Sequence, residues 1–450
     1  MTENVHECDV VVLGLGPGGE YAAGELAKAG LDVVGVDERL VGGECPYFGC
    51  IPTKMMIAAA TTLHEGGRIS RMAGAAQLQP SWEPVARRIR DEATDDWDDT
   101  VAVKRLEDAG ATFARGRGVI TAPGRVTVDG TTYAARRGVV LNTGTSPSAP
   151  PIDGLDGVDH WTNRDVVRLT ELPASLIVIG GGPIGCEMAQ VLAQFGVDVT
   201  VVEVADRLVA VEEPEASEML EKAFADLGMK VVTGATINRV TQDGDGVAVE
   251  LPDRTLRAER LLVAAGRRNN IAGIGLEHVG LDAEPRVLDP DERMRVAEGV
   301  WAIGDITGKG AFTHMSMYQA AIVVRDLLGK EGPWADYRAV SRVTFTGPEI
   351  GSVGLSEAAA RKQGIEVRTA TGDMGTRGWI SGEPGLVKLV ADAGRGILVG
   401  GTAVGPSGGE VLSMLTTAVH AEIPIATLAD MHFAYPTFHR GIQPVLQQLL

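Results

Sequence analysis

Asp9-Val10-Val11-Val12-Leu13-Gly14-Leu15-Gly16-Pro17-Gly18-Gly19 reads as an apolar strand running straight into a glycine turn. A helical pattern follows from Glu20 to Ala29, then a second strand from Asp32 to Asp37. Gly14, Gly16 and Gly19 occupy the three fixed positions of G-x-G-x-x-G. The first allows the tight turn, the second lets the backbone approach a pyrophosphate, and the third lets helix and strand pack closely. The helix N-terminus then offers free N–H groups and a positive dipole end to phosphate charge. Asp37 closes the second strand, where an acid accepts hydrogen bonds from a ribose.

The arrangement recurs. The strand Leu176–Ile179 leads into Gly180-Gly181-Gly182-Pro183-Ile184-Gly185, a helix from Pro183 to Phe195 and a strand from Asp198 to Glu203. Gly180, Gly182 and Gly185 take the three glycine positions, and Glu203 is the acid. The interval from first glycine to acid is 23 in both copies (37 minus 14, 203 minus 180). One glycine loop is a weak signal; two with strand, helix and acid in step predict two dinucleotide-binding modules.

Between the modules stands Gly42-Gly43-Glu44-Cys45-Pro46-Tyr47-Phe48-Gly49-Cys50-Ile51-Pro52-Thr53-Lys54. A disulfide needs Cα atoms roughly 4.4–6.8 Å apart. Five residues along a regular helix is slightly too far, so the backbone must be distorted, and Pro46 and Gly49 permit that. A helical stretch over Thr53–Ala60 puts the thiols near a helix N-terminus, which favours thiolate, and Lys54 lies four residues after Cys50 on the same face. The bland alternatives are a structural disulfide or half a zinc site. Zinc pairs need a second ligand pair. Cys8 and Cys186 are scattered singletons and the eight His form no cluster with them, so no metal is expected.

The 450 residues suffice for about three domains. A hydrophobic share of 44% supports several cores, and 58 Gly suit α/β folds with many tight turns. A net charge of -19 repels nucleic acid and anionic membranes, so neither is an expected partner. The start, MTENVHECDVVV, is acidic where a signal peptide is basic, and no apolar run approaches the roughly 20 residues of a membrane span. The expected location is the cytoplasm, where a close cysteine pair is catalytic rather than structural.

The chain resembles the pyridine nucleotide–disulfide oxidoreductases: dihydrolipoamide dehydrogenase, glutathione reductase, mercuric reductase and relatives. The resemblance rests on the Gly42–Lys54 stretch and both glycine loops. It also includes Thr143-Gly144 after the strand Gly138–Leu141, Ala265-Gly266-Arg267 after Leu261–Val263, and Trp301-Ala302-Ile303-Gly304-Asp305. It implies an α/β chain with two Rossmann-like domains and a C-terminal α+β dimerisation domain. The expected bounds are 1–148 and 272–337 for the FAD-binding domain, 149–271 for the nicotinamide nucleotide domain and 338–450 for the interface domain. It implies FAD held by Gly14, Gly16, Gly19, Asp37, Gly43, Thr143, Gly144, Gly304 and Asp305. NADH, rather than NADPH, would sit on Gly180, Gly182, Gly185, Glu203 and Gly266. By the same resemblance Cys50 lies nearest the flavin, Cys45 is the interchange thiol, Lys54 pairs with Glu187, and the homodimer shares its active site between subunits.

In disulfide-reducing members the C-terminal domain carries His-Pro-Thr-x-x-Glu, whose His reaches the partner's thiols as acid/base. Here the stretch is Tyr435-Pro436-Thr437-Phe438-His439-Arg440, so both members of that dyad are replaced. Tyr435 and His439 are the candidates for the vacated role. A Tyr here resembles mercuric reductase, but the chain ends Val445-Leu446-Gln447-Gln448-Leu449-Leu450, without that family's terminal cysteines. The expected acceptor is a disulfide taken through the thiols. The competing readings are a quinone or dye reductase acting directly from the flavin, and a redox-sensing flavoprotein with little turnover. The acidic run Asp91–Asp99 reads as a solvated face.

Overall fold

The computed structural model describes residues 4–450, which form two compact units. The first comprises the chain up to Pro52, Arg87–Pro147 and Arg267–Asp336. Its sheet runs in the order Arg295–Ala297, Val300–Ala302, Thr131–Leu141, Asn4–Leu13, Val33–Asp37, Thr112–Arg115. Asn4–Leu13 pairs parallel with strands on both sides, Val10 opposite Val33 and Gly138. A central parallel strand is buried on both faces, which is why it reads as an unbroken apolar run. Val10 and Val12 enter one core with Leu15, Leu26 and Leu106, while Val11 and Leu13 enter another with Ile120, Val126 and Leu276. The strand starts five residues before the expected Asp9; that extension is exposed as far as Glu7 and has only Val5 as an apolar residue there, so it carries little apolar signal.

Helix Pro17–Lys28 packs against helix Thr313–Leu327. Proline at its first position suits the turn, where its missing N–H would have had no partner.

The second unit comprises Thr53–Ala86, Ser148–Gly266 and Tyr337–Leu450. It holds a four-stranded parallel sheet, Lys230–Val232, Asp198–Val202, Ser175–Ile179, Arg260–Val263, and a three-stranded antiparallel sheet over 239–258. A five-stranded antiparallel sheet follows in the order Ser341–Thr344, Glu349–Gly354, Ile397–Gly405, Leu386–Asp392, Val367–Asp373, backed by helix Gly408–His420. Two of its strands carry little local strand signal. Glu349–Gly354 contains two glycines, and Val367–Asp373 alternates Val, Thr and Ala with exposed Arg368 and Thr371. Among the described residues no helix is long and apolar enough to cross a membrane.

Candidate active site

The two glycine loops are built alike, bond for bond. Gly14 and Gly180 have φ of 93° and 112°, and a Cβ on either would strike the neighbouring backbone at Asn142 O (2.3 Å) or Ala264 O (2.5 Å). In the first unit Asp37 accepts from Leu15 N at 2.7 Å through one carboxylate oxygen and from Arg39 N at 2.7 Å through the other. In the second, Glu203 does the same with Gly181 N and, at 2.7 Å, Ala205 N. Each acid thus clasps its own glycine loop. A carboxylate has about four lone-pair sites, so two backbone bonds leave capacity for ribose hydroxyls. Burial pushes the Asp37 carboxyl up, against the two backbone N–H groups that lower it.

The first loop has the features of a cofactor cradle. Thr143 Oγ1 beside it is buried without a hydrogen-bond partner. Asp305 Oδ2 accepts from Thr145 Oγ1 at 2.7 Å. A Cβ on Gly43, whose φ is 68°, would come 2.9 Å from Gly16 Cα, so the cysteine stretch lies directly against the loop. The orphaned Thr143 hydroxyl and the open backbone of this loop fit a phosphate-bearing cofactor such as FAD.

Cys45 lies in a four-residue helix, Glu44–Tyr47, and Cys50 opens the helix Cys50–Met72. The backbone breaks at Phe48–Gly49, where a Cβ on Gly49 would stand 3.2 Å from Glu44 O. The long helix starts three residues before the expected Thr53, because Pro52 falls in its first turn, where no N–H is needed. All four cysteines are free thiols. The hydrogen bond to Cys50, and then burial, push the Cys45 thiol well above the ordinary range, with the Thr313 hydroxyl working the other way. Thr313 Oγ1 also lies 3.3 Å from Cys50 Sγ. Cys8 is fully buried and its thiol is pushed up to about 12, mainly by burial; Cys186 is raised by burial too and donates to Gly181 O. Neither suits thiol chemistry.

The first residue of the strand Arg267–Asn269 reaches the thiol segment: Arg267 Nη2 lies 3.2 Å from Glu44 Oε2 and 2.9 Å from Thr145 O.

In the second unit Lys54 Nζ lies 2.7 Å from Glu187 Oε2, and Glu187 Oε1 accepts from Phe345 N at 2.8 Å. The ammonium also sits 4.4 Å from the centre of the Phe345 ring. Glu187 is 9% exposed and Lys54 34%, so the carboxylate is the more deeply set member of the pair. Lys54→Met should lower stability by about 1–2 kcal/mol, because it strands the carboxylate, and Glu187→Gln should cost less, since Lys54 can turn to water. Urea unfolding checks this; an equal or reversed order contradicts it.

Residues 8–321 match the family described as pyridine nucleotide-disulphide oxidoreductase, and residues 340–445 match its dimerisation domain. The chain belongs to the pyridine nucleotide-disulphide oxidoreductases. Mercuric reductase of Streptomyces lividans is 33% identical, with 98% of this chain and 95% of that protein covered. Dihydrolipoyl dehydrogenase of Thermus scotoductus is 32% identical over 98% of this chain and 97% of its own length. The crystal structure of LpdA from Mycobacterium tuberculosis superposes with a TM-score of 0.86 at 29% identity, covering 98% and 100% of the two chains. This pyridine nucleotide-disulphide oxidoreductase is accordingly a flavin-dependent enzyme that uses NAD(P)H.

The C-terminal segment carries Tyr435 and His439. Tyr435 is 66% exposed, its hydroxyl 3.4 Å from Thr376 Oγ1 and its ring 5.3 Å from the Arg440 guanidinium. Tyr435, Arg440 and Arg377 line a cavity of about 330 Å³. His439 is half-buried, with Nε2 3.4 Å from Thr437 Oγ1 and its ring against Phe433. Tyr435 and His439 belong to the second unit, Cys45 and Cys50 to the first. Among metal-ligand types, His64, Glu65 and Glu383 approach one another, but Arg68 donates to both carboxylates and holds the place of a cation.

Sequence reasoning missed Thr313, Phe345 and Arg267 as neighbours of the predicted residues. Arg267 closes the Ala265-Gly266-Arg267 motif, but nothing local marks its reach to Glu44.

Proposed function

We propose that the enzyme passes electrons from NADH to a disulfide or related acceptor through the Cys45–Cys50 pair, as a homodimer with residues of both subunits at each site. The observation that carries this is the contact of the two thiols with each other and with the Thr313 hydroxyl, beside a cradle suited to FAD. Bound FAD would take hydride from the nicotinamide and supply two electrons to the pair. Cys45 is the interchange thiol, and Cys50 the thiol nearer the flavin. Thr313 holds both sulfurs by hydrogen bonding. Lys54, fixed by Glu187 and Phe345, supplies positive charge. Tyr435 takes the position of the family's acid/base, with His439 the other candidate. The domain bounds given above, 1–148 with 272–337, 149–271 and 338–450, and a cytoplasmic location go with this reading.

A Tyr in place of His favours a second route, quinone reduction directly from the flavin, because Tyr435 cannot carry the positive charge that pairs with a thiolate. Anaerobic reduction by NADH, followed by reoxidation with a panel of disulfides and quinones, tests the proposal. Reoxidation by no member of either class would overturn it.

NADH should be preferred over NADPH by about tenfold or more in kcat/KM, roughly 1.4 kcal/mol. Glu203 would repel a 2′-phosphate, and Val204 and Ala205 offer it no charge. Arg207 is turned back, its Nη2 donating to Ala210 O at 2.7 Å and Glu212 O at 3.1 Å. Initial rates with both nucleotides check this, and a ratio favouring NADPH contradicts it.

A further inference from the structure

The acidic run is solvated as expected at Asp91, Glu92, Asp95, Asp96 and Asp98, but Trp97 and Asp99 within it turn to the thiol segment. Asp95, Asp96 and Trp97 have φ of 48°, 54° and 59°, three consecutive left-handed residues with no glycine among them. L residues hold this conformation only where their surroundings over-determine it. Here Asp96 N donates to Arg90 O at 2.7 Å and Asp98 N to Asp95 O at 3.1 Å. Trp97 N lies 3.4 Å from Thr94 Oγ1, whose hydroxyl bonds Ile89 O and Arg90 O. The turn points two groups at the cysteine stretch. Trp97 Nε1 donates to Tyr47 O at 3.0 Å, the last carbonyl of the short helix that carries Cys45. Asp99, buried and paired with Arg115, accepts from Val41 N at 2.7 Å, just ahead of Gly42-Gly43. The segment is thus gripped before Cys45 and between Cys45 and Cys50.

We infer that the turn Asp95–Asp99 clamps the thiol segment and that Trp97 is a positioning residue for Cys45, setting how readily the Cys45–Cys50 pair is reduced. The inference rests on the proposal that this pair cycles between dithiol and disulfide. Closing a disulfide depends on the local concentration of one thiol at the other, and the broken backbone at Phe48–Gly49 does not fix that distance by itself. The hydrogen bond to Tyr47 O ties the end of the Cys45 helix, so losing it lets Cys45 stray and makes the disulfide easier to open. The charged and titratable groups around Cys45 are Glu44 on its own segment, paired with Arg267 of the strand Arg267–Asn269, and Cys50. Lys54 follows Cys50 in the chain. Tyr47 lies buried close to Asp99, Glu20 and Arg105. None of these groups is altered by a change at Trp97.

The test equilibrates the FAD-loaded enzyme anaerobically with mixtures of reduced and oxidised dithiothreitol. The two dithiothreitol thiols close into their cyclic disulfide while the Cys45–Cys50 bond breaks and each sulfur takes a proton. Quenching with an alkylating agent counts the thiols. Trp97→Phe keeps the ring and removes the donor. Its exchange constant should move about fivefold toward the dithiol, ~20 mV at 29.6 mV per decade. Trp97→His restores a ring N–H and should return at least half of that shift. A Phe variant with the wild-type midpoint, or a His variant no better than Phe, would overturn the clamp. If the Phe variant does not fold, Asp99→Ala releases Val41 N instead, and an unchanged midpoint there overturns it equally. A wild-type enzyme that gains no thiols across the range would remove the redox pair itself, a different failure from an unmoved midpoint.

Discussion

Replacing Cys50 by serine should abolish disulfide reduction, by roughly a thousandfold or more, while quinone reduction with NADH persists within a few fold. The size follows from removing one member of a group that acts as a unit, where single losses approach the loss of the whole. Serine keeps the volume and a hydrogen bond to Thr313 but cannot form or break a sulfur–sulfur bond. Cys45→Ser should lose disulfide turnover to the same extent, because neither thiol works alone. If both acceptor classes fall together, the quinone route runs through the thiols too. If disulfide turnover survives in Cys50→Ser, the pair is not the conduit. Steady-state rates with a disulfide and a quinone, on protein of matched flavin content, give the answer.

The twin glycine loops predict twin substitutions with different losses. A Cβ on Gly19 would stand 2.0 Å from Gly14 O, and a Cβ on Gly185 would stand 2.0 Å from Gly180 O. Both contacts are with backbone, so neither can be relieved by turning a side chain, and helix and strand must part at the phosphate site. Gly19→Ala should therefore purify with less than about a tenth of the wild-type FAD. Gly185→Ala should retain its FAD and raise the KM for NADH by about tenfold or more, near 1.4 kcal/mol. The flavin-to-protein absorbance ratio and nucleotide kinetics separate the two. Loss of FAD in Gly185→Ala would contradict the division of labour between the loops.

What the sequence disclosed and what it hid divide along chain distance. Gly14, Asp37 and their counterparts Gly180 and Glu203 were legible because strand, turn, helix and acid lie within one short stretch, each type demanded by local backbone geometry. The cysteine pair was legible for the same reason. Thr313 and Phe345 were not, because they meet Cys50 and Glu187 from 263 and 158 residues away and carry no signature of their own. Trp97 misled for a different reason. The six acids from Asp91 to Asp99 read as solvated, and the left-handed turn that aims the Trp97 indole at Tyr47 depends on tertiary bonds that composition does not show. The exposed start of the first strand and the glycine-bearing strand Glu349–Gly354 escaped because strand propensity is largely a report of packing against neighbours.

The central claim is that electrons from the nicotinamide come to rest on Cys45 and Cys50. Anaerobic titration with NADH, with thiols counted by alkylation at each point, tests it most directly. The first two electrons per chain should expose two new alkylatable thiols, mapped to Cys45 and Cys50. The main flavin absorbance should be largely retained, and a broad long-wavelength band should rise beside it. Bleaching of the flavin by those same two electrons, with no thiols gained and no such band, would contradict the account.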